Sequence, residues 1–334
     1  MRDRLVLAGD IGGTNIRLAL YRYEQGTLLE QRREIYATGD FSRFEEVVAL
    51  FLKQTDFSTL DACFGVPGPV IDGKACTPNL AWVFEERQIA QTLGLASLTL
   101  VNDLVVLANA LPYLTEDELL CLHAGVAENK AGIRALLAPG TGLGQAFISS
   151  TARGDHVFSS EGGHVDFAPT TEIETELLCF LHKRLDRVSY EHILSGPGLV
   201  NIYSFLKDKQ RSEGPGVEPD EDVEYPTPEV ISHNALFGLD PFCVQALDIF
   251  ASALGSQAGN LVLTLMAMGG VFIGGGIATK IQQKLVDGTV VASYLDKGYM
   301  SLLVRQTPLY LILDSTAALK GAASIAARAS EEQF

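Results

Sequence analysis

Residues 5–20, LVLAGDIGGTNIRLAL, restrict what this chain can fold into more than any other stretch. An apolar run closes on Gly9 and Asp10, passes through Gly12, Gly13, Thr14 and Asn15, and resumes with Ile16, Leu18 and Leu20 on alternate positions. Alternation is the period of a strand, so the glycines occupy a turn between two strands. Glycine loops that hold phosphate usually lead from a strand into a helix. Here the N–H groups of a tight hairpin would face the anion instead, because glycine permits positive φ and close approach of the main chain. Thr14 adds a hydroxyl, and Asp10 ends the first strand where a phosphate-bound metal could sit. On Gly-Gly alone a plain hairpin turn is the alternative; the downstream motifs favour the anion site.

The pattern beyond the hairpin predicts a third strand over Thr27–Ala37, a helix over residues 44–52, and a buried strand over residues 62–66. A turn-rich stretch holding residues 74–82 follows, then a helix over residues 84–93. A strand over residues 98–101 ends at Asn102-Asp103, and a helix runs on from about Leu104. Three strands and then alternating helices and strands do not make a simple dinucleotide fold. They predict a mixed sheet, antiparallel on one side and parallel beyond. The second half restarts the plan: residues 136–148, LLAPGTGLGQAFI, repeat the order strand, Gly/Thr turn, strand. Residues 207–228, rich in Glu, Asp, Pro and Gly, read as a mobile surface loop. A long helix over residues 240–268 turns Phe250, Leu254, Ala258, Leu261 and Leu265 inward. A strand over residues 269–273 ends in a third glycine turn, Gly274-Gly275-Gly276-Ile277, opening a helix. A last strand (residues 309–313) and a small-residue helix over Ala317–Ala329 close the chain.

Two hairpins could grip a polyphosphate from both sides, through Gly12 to Asn15 and through Gly140, Thr141, Gly142 and Gly144. The turn at Gly275, Gly276 and Ile277 leaves bare backbone for a flat purine or ribose. No glycine-to-lysine phosphate motif occurs, and Gly140-x-Gly142-x-Gly144 leads into a strand, so P-loop and dinucleotide readings are disfavoured. Asp103 reads as a helix N-cap and equally as a carboxylate at the sheet edge, where ligand crevices form. There it would accept a proton from a hydroxyl that Asn102 orients. Glu161-Gly162-Gly163-His164 suits a polyol, since a carboxylate takes two hydroxyl protons and an imidazole donates or accepts one. Glu191 alone reads as a surface residue beside the Gly-rich turn 195–198. Together these groups are polar, rich in acceptors and poor in metal ligands. They lack the cationic fork expected for an anionic substrate.

A net charge of −16 opposes a nucleic-acid surface or an anionic membrane. No apolar run has the length of a spanning helix, and the N-terminus shows no signal-peptide pattern. Five scattered cysteines without metal spacing predict buried reduced thiols and a cytoplasmic compartment.

From about residue 5 to 329 the chain resembles the bacterial glucokinase family, within the actin-like ATPase and sugar-kinase superfamily. GDIGGTN, LVND, APGTGLG, EGGHVDFAP, LSGPGL and GGVFIGGGI occur in the family's order. The resemblance implies two actin-like (ribonuclease H-like) α/β domains with mixed sheets flanking a cleft: a small one of residues 1–113 plus 315–334 and a large one of residues 114–314. It implies glucose contacts at Asn102, Asp103, Glu161, His164 and Glu191, with Asp103 as catalytic base. ATP phosphates would lie on Gly12 to Asn15 and Gly140 to Gly144, with Gly9 and Asp10 also on the nucleotide side, and Asp10 would serve Mg²⁺ through water. It further implies a homodimer. The cysteine-rich zinc motif of the ROK sugar kinases is absent, and no sugar-contacting position is substituted. A kinase for another hexose, a sugar-responsive repressor and an actin-like filament protein are the competing readings, and ADP or polyphosphate the competing donors.

Overall fold

The computed structural model describes residues 4–53, 55, 60–76, 82–126, 132–151, 154–213 and 225–329 of the 334. The chain parts into two compact units, residues 1–118 with 157–159 and 314–334, and residues 119–156 with 160–313.

The first unit is built on the opening hairpin. β1 (Arg4–Ile11) pairs antiparallel with β2 (Asn15–Glu24), and β2 with β3 (Thr27–Ala37). After α1 (Phe44–Leu52) the chain returns parallel to β1 as β4 (Asp61–Val66). A small antiparallel sheet follows, made of β5 (Val70–Ile71), β6 (Lys74–Cys76) and β7 (Val83–Glu85). Then come α2 (Glu86–Leu93), β8 (Ser97–Asn102), which pairs parallel with β4, and α3 (Asp103–Ala110). The sheet order is β3-β2-β1-β4-β8.

Strand alternation sends side chains to two faces, and both are buried. Leu7, Leu18 and Phe64 pack with Phe44, Phe51, Phe84 and Ile89. Val6, Ala8, Ala19 and Cys63 pack with Val106 and the C-terminal helix Ala317–Ala329. That helix is built of small residues because it crosses α3 at very short range: a Cβ on Gly321 would lie 1.7 Å from the Val106 carbonyl oxygen.

The second unit repeats the plan. β9 (Leu119–His123) is an added edge strand; β10 (Arg134–Pro139) and β11 (Leu143–Thr151) form the second hairpin, and β12 (Gly154–Ser160) is its outer strand. α4 (Glu172–His182), α5 (Gly196–Glu213), α6 (Pro228–Leu236) and α7 (Pro241–Leu265) form the helical layer. β13 (Gly270–Ile273) then joins β10 in parallel. Short helices α8 (Gly276–Lys280), α9 (Gln282–Leu285), α10 (Thr289–Leu295) and α11 (Ser301–Val304) lead to β14 (Leu309–Ile312), parallel to β13. The order β12-β11-β10-β13-β14-β9 matches the first sheet strand for strand, with β9 antiparallel at the far edge. α7 starts on Pro241 behind the Asp240 cap and buries Phe250, Leu254 and Ala258 in the larger core. No single helix among the described residues is long and apolar enough to cross a membrane.

Several expectations change. The helix expected over residues 84–93 starts at Glu86, because Phe84 sits in a strand with its ring against Phe44 and Trp82. Residues 74–76, expected as turn, are a strand, and residues 77–81 of that stretch lie outside the described residues. Gly196 opens α5 and is not part of a free turn: a Cβ on Gly198 would meet the Ile193 backbone at 2.5 Å. Of the expected loop 207–228, residues 207–213 continue α5, Thr227 caps α6, and residues 214–224 lie outside the described residues. Cys63 and Cys243 are buried free thiols as expected, but Cys121 and Cys179 are exposed.

Gly321→Ala decides between two effects of opposite sign. Helix propensity alone would make alanine stabilising by up to about 1 kcal/mol. Overpacking against Val106 costs about 1–3 kcal/mol or more, and at 1.7 Å the clash wins. Urea unfolding should show a net loss of about 2 kcal/mol for Gly321→Ala. Gly39→Ala, with nothing within 4 Å of the added carbon, should stay within about 0.5 kcal/mol of wild type.

Candidate active site

In the first unit the turn between β1 and β2 is closed by the Gly12 N–H donating to the Asn15 carbonyl at 2.9 Å. A Cβ on Gly12 would meet that oxygen at 2.9 Å, whereas Gly13 faces open space. Thr38, just past β3, pins the turn from behind: its N–H donates to the Thr14 carbonyl and its hydroxyl to the Gly12 carbonyl, both at 2.9 Å. Thr38 is buried, and sequence reasoning missed it. Its only local signal is the Thr-Gly-Asp that follows β3, while its partners lie far upstream. Asp10 stands on β1 directly opposite Arg17 on β2, and Arg17 Nη1 donates to Asp10 Oδ2 at 2.9 Å. Burial pushes the Asp10 carboxyl above its ordinary value, and the Arg17 charge pulls against that shift.

Asn102 and Asp103 lie at the junction of β8 and α3. The cap is Asn102 and not Asp103: Asn102 is extended, its Oδ1 accepts from the Leu104 N–H at 2.9 Å, and Asp103 is already helical. Asn102 Nδ2 also donates to the Gly68 carbonyl at 3.1 Å, tying the helix start to the loop after β4. Asp103 Oδ1 shares the Leu104 N–H at 2.9 Å. Burial, joined by the negative charge of Asp10, raises the Asp103 pKa to about 6, against the lowering effect of these hydrogen bonds. A carboxylate shifted this way by burial and a like charge is a candidate for proton transfer.

In the second unit the β10–β11 turn is closed by the Gly140 N–H on the Gly142 carbonyl at 2.8 Å and anchored by the Gly196 N–H on the Gly140 carbonyl at 2.9 Å. Thr141 and Gly142 lie at the turn, while Gly144 already pairs with Ala138 within the hairpin strands. Glu191 is not a free surface acid. Its Oε2 accepts from the Leu143 N–H at 2.8 Å, and a Cβ on Gly142 would sit 2.4 Å from that oxygen. Glycine at 142 therefore lets Glu191 reach the hairpin. The third turn rests on the second: Gly275 has φ 87°, and its missing Cβ would lie 2.6 Å from the Pro139 carbonyl oxygen. Gly276 and Ile277 begin α8 from there.

Glu161, His164 and Glu191 converge. His164 Nε2 stands 3.9 Å from Glu161 Oε2, and His164 Nδ1 stands 3.9 Å from Glu191 Oε1. Both distances exceed a hydrogen bond, so all three side chains keep capacity for a ligand. Gly162 and Gly163 make this possible by packing the turn on β11: added carbons would lie 2.2 Å from Gln145 Oε1 and 2.0 Å from the Leu143 carbonyl oxygen. Among the described residues no group of three or more His, Cys, Asp or Glu is arranged to hold a metal ion.

The glucokinase family model matches residues 7–329. This chain belongs to the glucokinase family. It is 37% identical to glucokinase from Nostoc sp. strain PCC 7120 over 97% of this chain and 99% of that one. It is also 37% identical to glucokinase from Colwellia psychrerythraea, covering 95% and 94%. The crystal structure of glucokinase from an Antarctic psychrotroph superposes with TM-score 0.82 at 31% identity, covering 97% and 99%. A ROK family glucokinase from Streptomyces griseus, solved in complex with glucose and AMPPNP, shares the fold at TM-score 0.61 and 21% identity over 97% and 99%. The fold is thus that of the two-domain actin-like sugar kinases, as the glucokinase resemblance implies.

The raised pKa of Asp103 has a consequence for stability. The folded state binds this proton more tightly than the unfolded chain, whose value is 3.8. Its contribution is therefore fully present below about pH 4 and is lost as pH rises through about 6. Asp103→Asn removes the charge that folding must bury. It should unfold at higher denaturant than wild type at pH 7, by up to about 3 kcal/mol, and the gain should vanish below about pH 4. A variant less stable than wild type at pH 7 would contradict this electrostatic account.

Proposed function

We propose that this protein transfers the γ-phosphoryl group of ATP to the 6-hydroxyl of glucose, giving glucose 6-phosphate and ADP and so feeding glycolysis. The observation that carries the reading is Asp103, a partly buried carboxylate raised to about 6 beside the cap residue Asn102. At neutral pH it is ionised, yet a better base than an exposed aspartate, and it would take the proton from the 6-hydroxyl. Asn102, fixed at both ends of its amide, would orient that hydroxyl. Glu161, His164 and Glu191 would hold the remaining hydroxyls, and their acceptor-rich character suits a neutral polyol.

The phosphates of ATP would lie on the N–H groups of the two hairpins, at Gly9 to Asn15 and at Gly140, Thr141, Gly142 and Gly144. The bare backbone at Gly275, Gly276 and Ile277 would take the nucleoside side. The glycine cradles fit this role, since a Cβ at Gly12, Gly142 or Gly275 would strike the turn itself or its anchor. Mg²⁺, arriving with ATP, supplies charge neutralisation on the phosphate oxygens. A hydrated Mg²⁺ carried by phosphates needs only one or two protein carboxylates, and Asp10 would provide one through water. Its partner Arg17 opposes part of the upward shift that burial imposes on its carboxyl. Transfer passes through a loose transition state, so the protein's work is positioning and charge stabilisation.

The same reading has the enzyme acting as a cytoplasmic homodimer, and a net charge of −16 supports a role away from nucleic acid and anionic membranes. Residues 1–113 with 315–334 would be the small domain and 114–314 the large one.

Asp103→Asn should lower kcat by at least ~10²-fold with glucose binding largely kept. For wild type, kcat/KM should fall on the acid side of about pH 6, where Asp103 becomes protonated. Near-normal turnover in Asp103→Asn would remove this residue from the mechanism. Glu161→Gln loses a charged acceptor for sugar hydroxyls, so KM for glucose should rise by about 10-fold or more. An unchanged KM would take Glu161 out of the sugar site.

A further inference from the structure

The first glycine of each hairpin turn has its carbonyl oxygen held from outside the turn. In the first unit the Gly12 carbonyl, just after β1, accepts from the Thr38 hydroxyl at 2.9 Å. In the second unit the Gly140 carbonyl, just after β10, accepts from the Gly196 N–H at 2.9 Å. The two anchors differ in kind: one is a side chain past the end of β3, the other is main chain at the start of α5. The same carbonyl is thus held by different means in two units whose sheets share one plan.

Holding a carbonyl also aims the N–H that follows it, because a trans peptide points the two in opposite directions. The Thr38 hydroxyl on the Gly12 carbonyl turns the Gly13 N–H away from Thr38. The Thr38 N–H, on the Thr14 carbonyl at 2.9 Å, does the same for the Asn15 N–H. Residues 13–15 are exposed, and a Cβ added at Gly13 would meet nothing within 4 Å, so an anion has room to approach. Tight turns are commonly closed by the fourth residue's N–H on the first residue's carbonyl. Among the described residues no such bond runs from Asn15 to Gly12, whose carbonyl is engaged by Thr38 instead. Without the hydroxyl, that carbonyl would be free to swing toward the Asn15 N–H. Adjoining glycines at 12 and 13 offer little resistance to such a rotation.

We propose that Thr38 is a positioning residue for the phosphoryl donor: its hydroxyl holds the Gly12–Gly13 peptide so that the Gly13 N–H meets the phosphate chain of a nucleoside triphosphate. Thr38 itself is only 3% exposed and acts through the turn, without touching the ligand. Its effect falls on the donor and not on the sugar, because Asn102 and Asp103 are held by bonds to Gly68 and Leu104 that do not involve the hairpin. The phosphate oxygens are charged before and during transfer, so losing this N–H weakens donor binding and spares turnover at saturation. Of the two anchors only Thr38 is a side chain, so a substitution removes it and leaves the main chain in place. The choice of ATP as donor rests on the glucose-kinase reading; the orientation of the turn does not.

The test compares Thr38→Val, which keeps the shape and the backbone N–H but loses the hydroxyl, with Thr38→Ser, which keeps the hydroxyl. ATP with Mg²⁺ is titrated into the intact protein by calorimetry, and steady-state kinetics give KM for ATP and for glucose separately. Thr38→Val should weaken ATP binding and raise its KM by about tenfold, with the glucose KM within about twofold of wild type and kcat within about threefold. Thr38→Ser should restore ATP binding to within about twofold of wild type. Thr38→Ala, which also removes the methyl group, should show the same split as Thr38→Val, so the test does not hang on one variant folding. The proposal is overturned if Thr38→Val binds ATP like wild type, if KM for ATP and for glucose rise together, if Thr38→Ser is as impaired as Thr38→Val, or if wild type binds no ATP. Wild type that binds ATP but phosphorylates no glucose would instead defeat the kinase reading, and the calorimetry of the variants would still decide the role of Thr38.

Discussion

The cost of burying one carboxylate governs this structure's chemistry. Asp103 sits where β8 gives way to α3, partly shielded from water and within the field of Asp10. Burial and a like charge both oppose ionisation, and the Leu104 N–H and the neighbouring Asn102 offset only part of that opposition. The result is a carboxyl raised to about 6, whose ionisation opposes folding even though Oδ1 accepts from the Leu104 N–H. A simple N-cap would have left the aspartate ionised and stabilising. The cap is supplied by Asn102, with Asp103 Oδ1 sharing the same N–H, and in the proposed mechanism the carboxylate takes the hydroxyl proton.

The second constraint is close approach at the three glycine turns, the ones proposed to hold the nucleotide. Gly12, Gly142 and Gly275 each stand where a side chain would strike a carbonyl oxygen or a carboxylate. The two hairpins are fixed by residues distant in sequence: Thr38 behind the first, Glu191 and Gly196 behind the second. Glu191 therefore links the two halves of the second unit's site. One oxygen holds the hairpin, and the other faces His164. The β10–β11 hairpin and the Glu161, His164 and Glu191 side chains are thus connected within that unit, which suits the proposed transfer chemistry because it depends on positioning.

Much of the fold was legible because it is carried by local patterns. Alternation around glycine marks both hairpins, and the C-terminal helix Ala317–Ala329 follows from its run of small residues. The repeated plan of the two sheets shows in the echo of LVLAGDIGGTNIRLAL in LLAPGTGLGQAFI. The misreadings lie where tertiary contact outweighs local preference. Val83–Glu85 joins a strand pair because Phe84 belongs to the aromatic cluster around Phe44, and Gly196-Pro197-Gly198 begins a helix because Ile193 leaves room only for glycine. At the site, the types and order of residues were readable, but not their partners. Nothing near Glu191 in sequence shows that it caps a turn 48 residues away, and nothing near Thr38 shows that it closes the first hairpin.

The central claim is that these groups move a phosphoryl group onto a sugar hydroxyl. Incubation of the purified protein with glucose, ATP and Mg²⁺, followed by ³¹P NMR of the products, tests it most directly. The account predicts glucose 6-phosphate and ADP in equal amounts, with ATP strongly preferred over ADP and polyphosphate as donor. Release of inorganic phosphate without any sugar phosphate would contradict it.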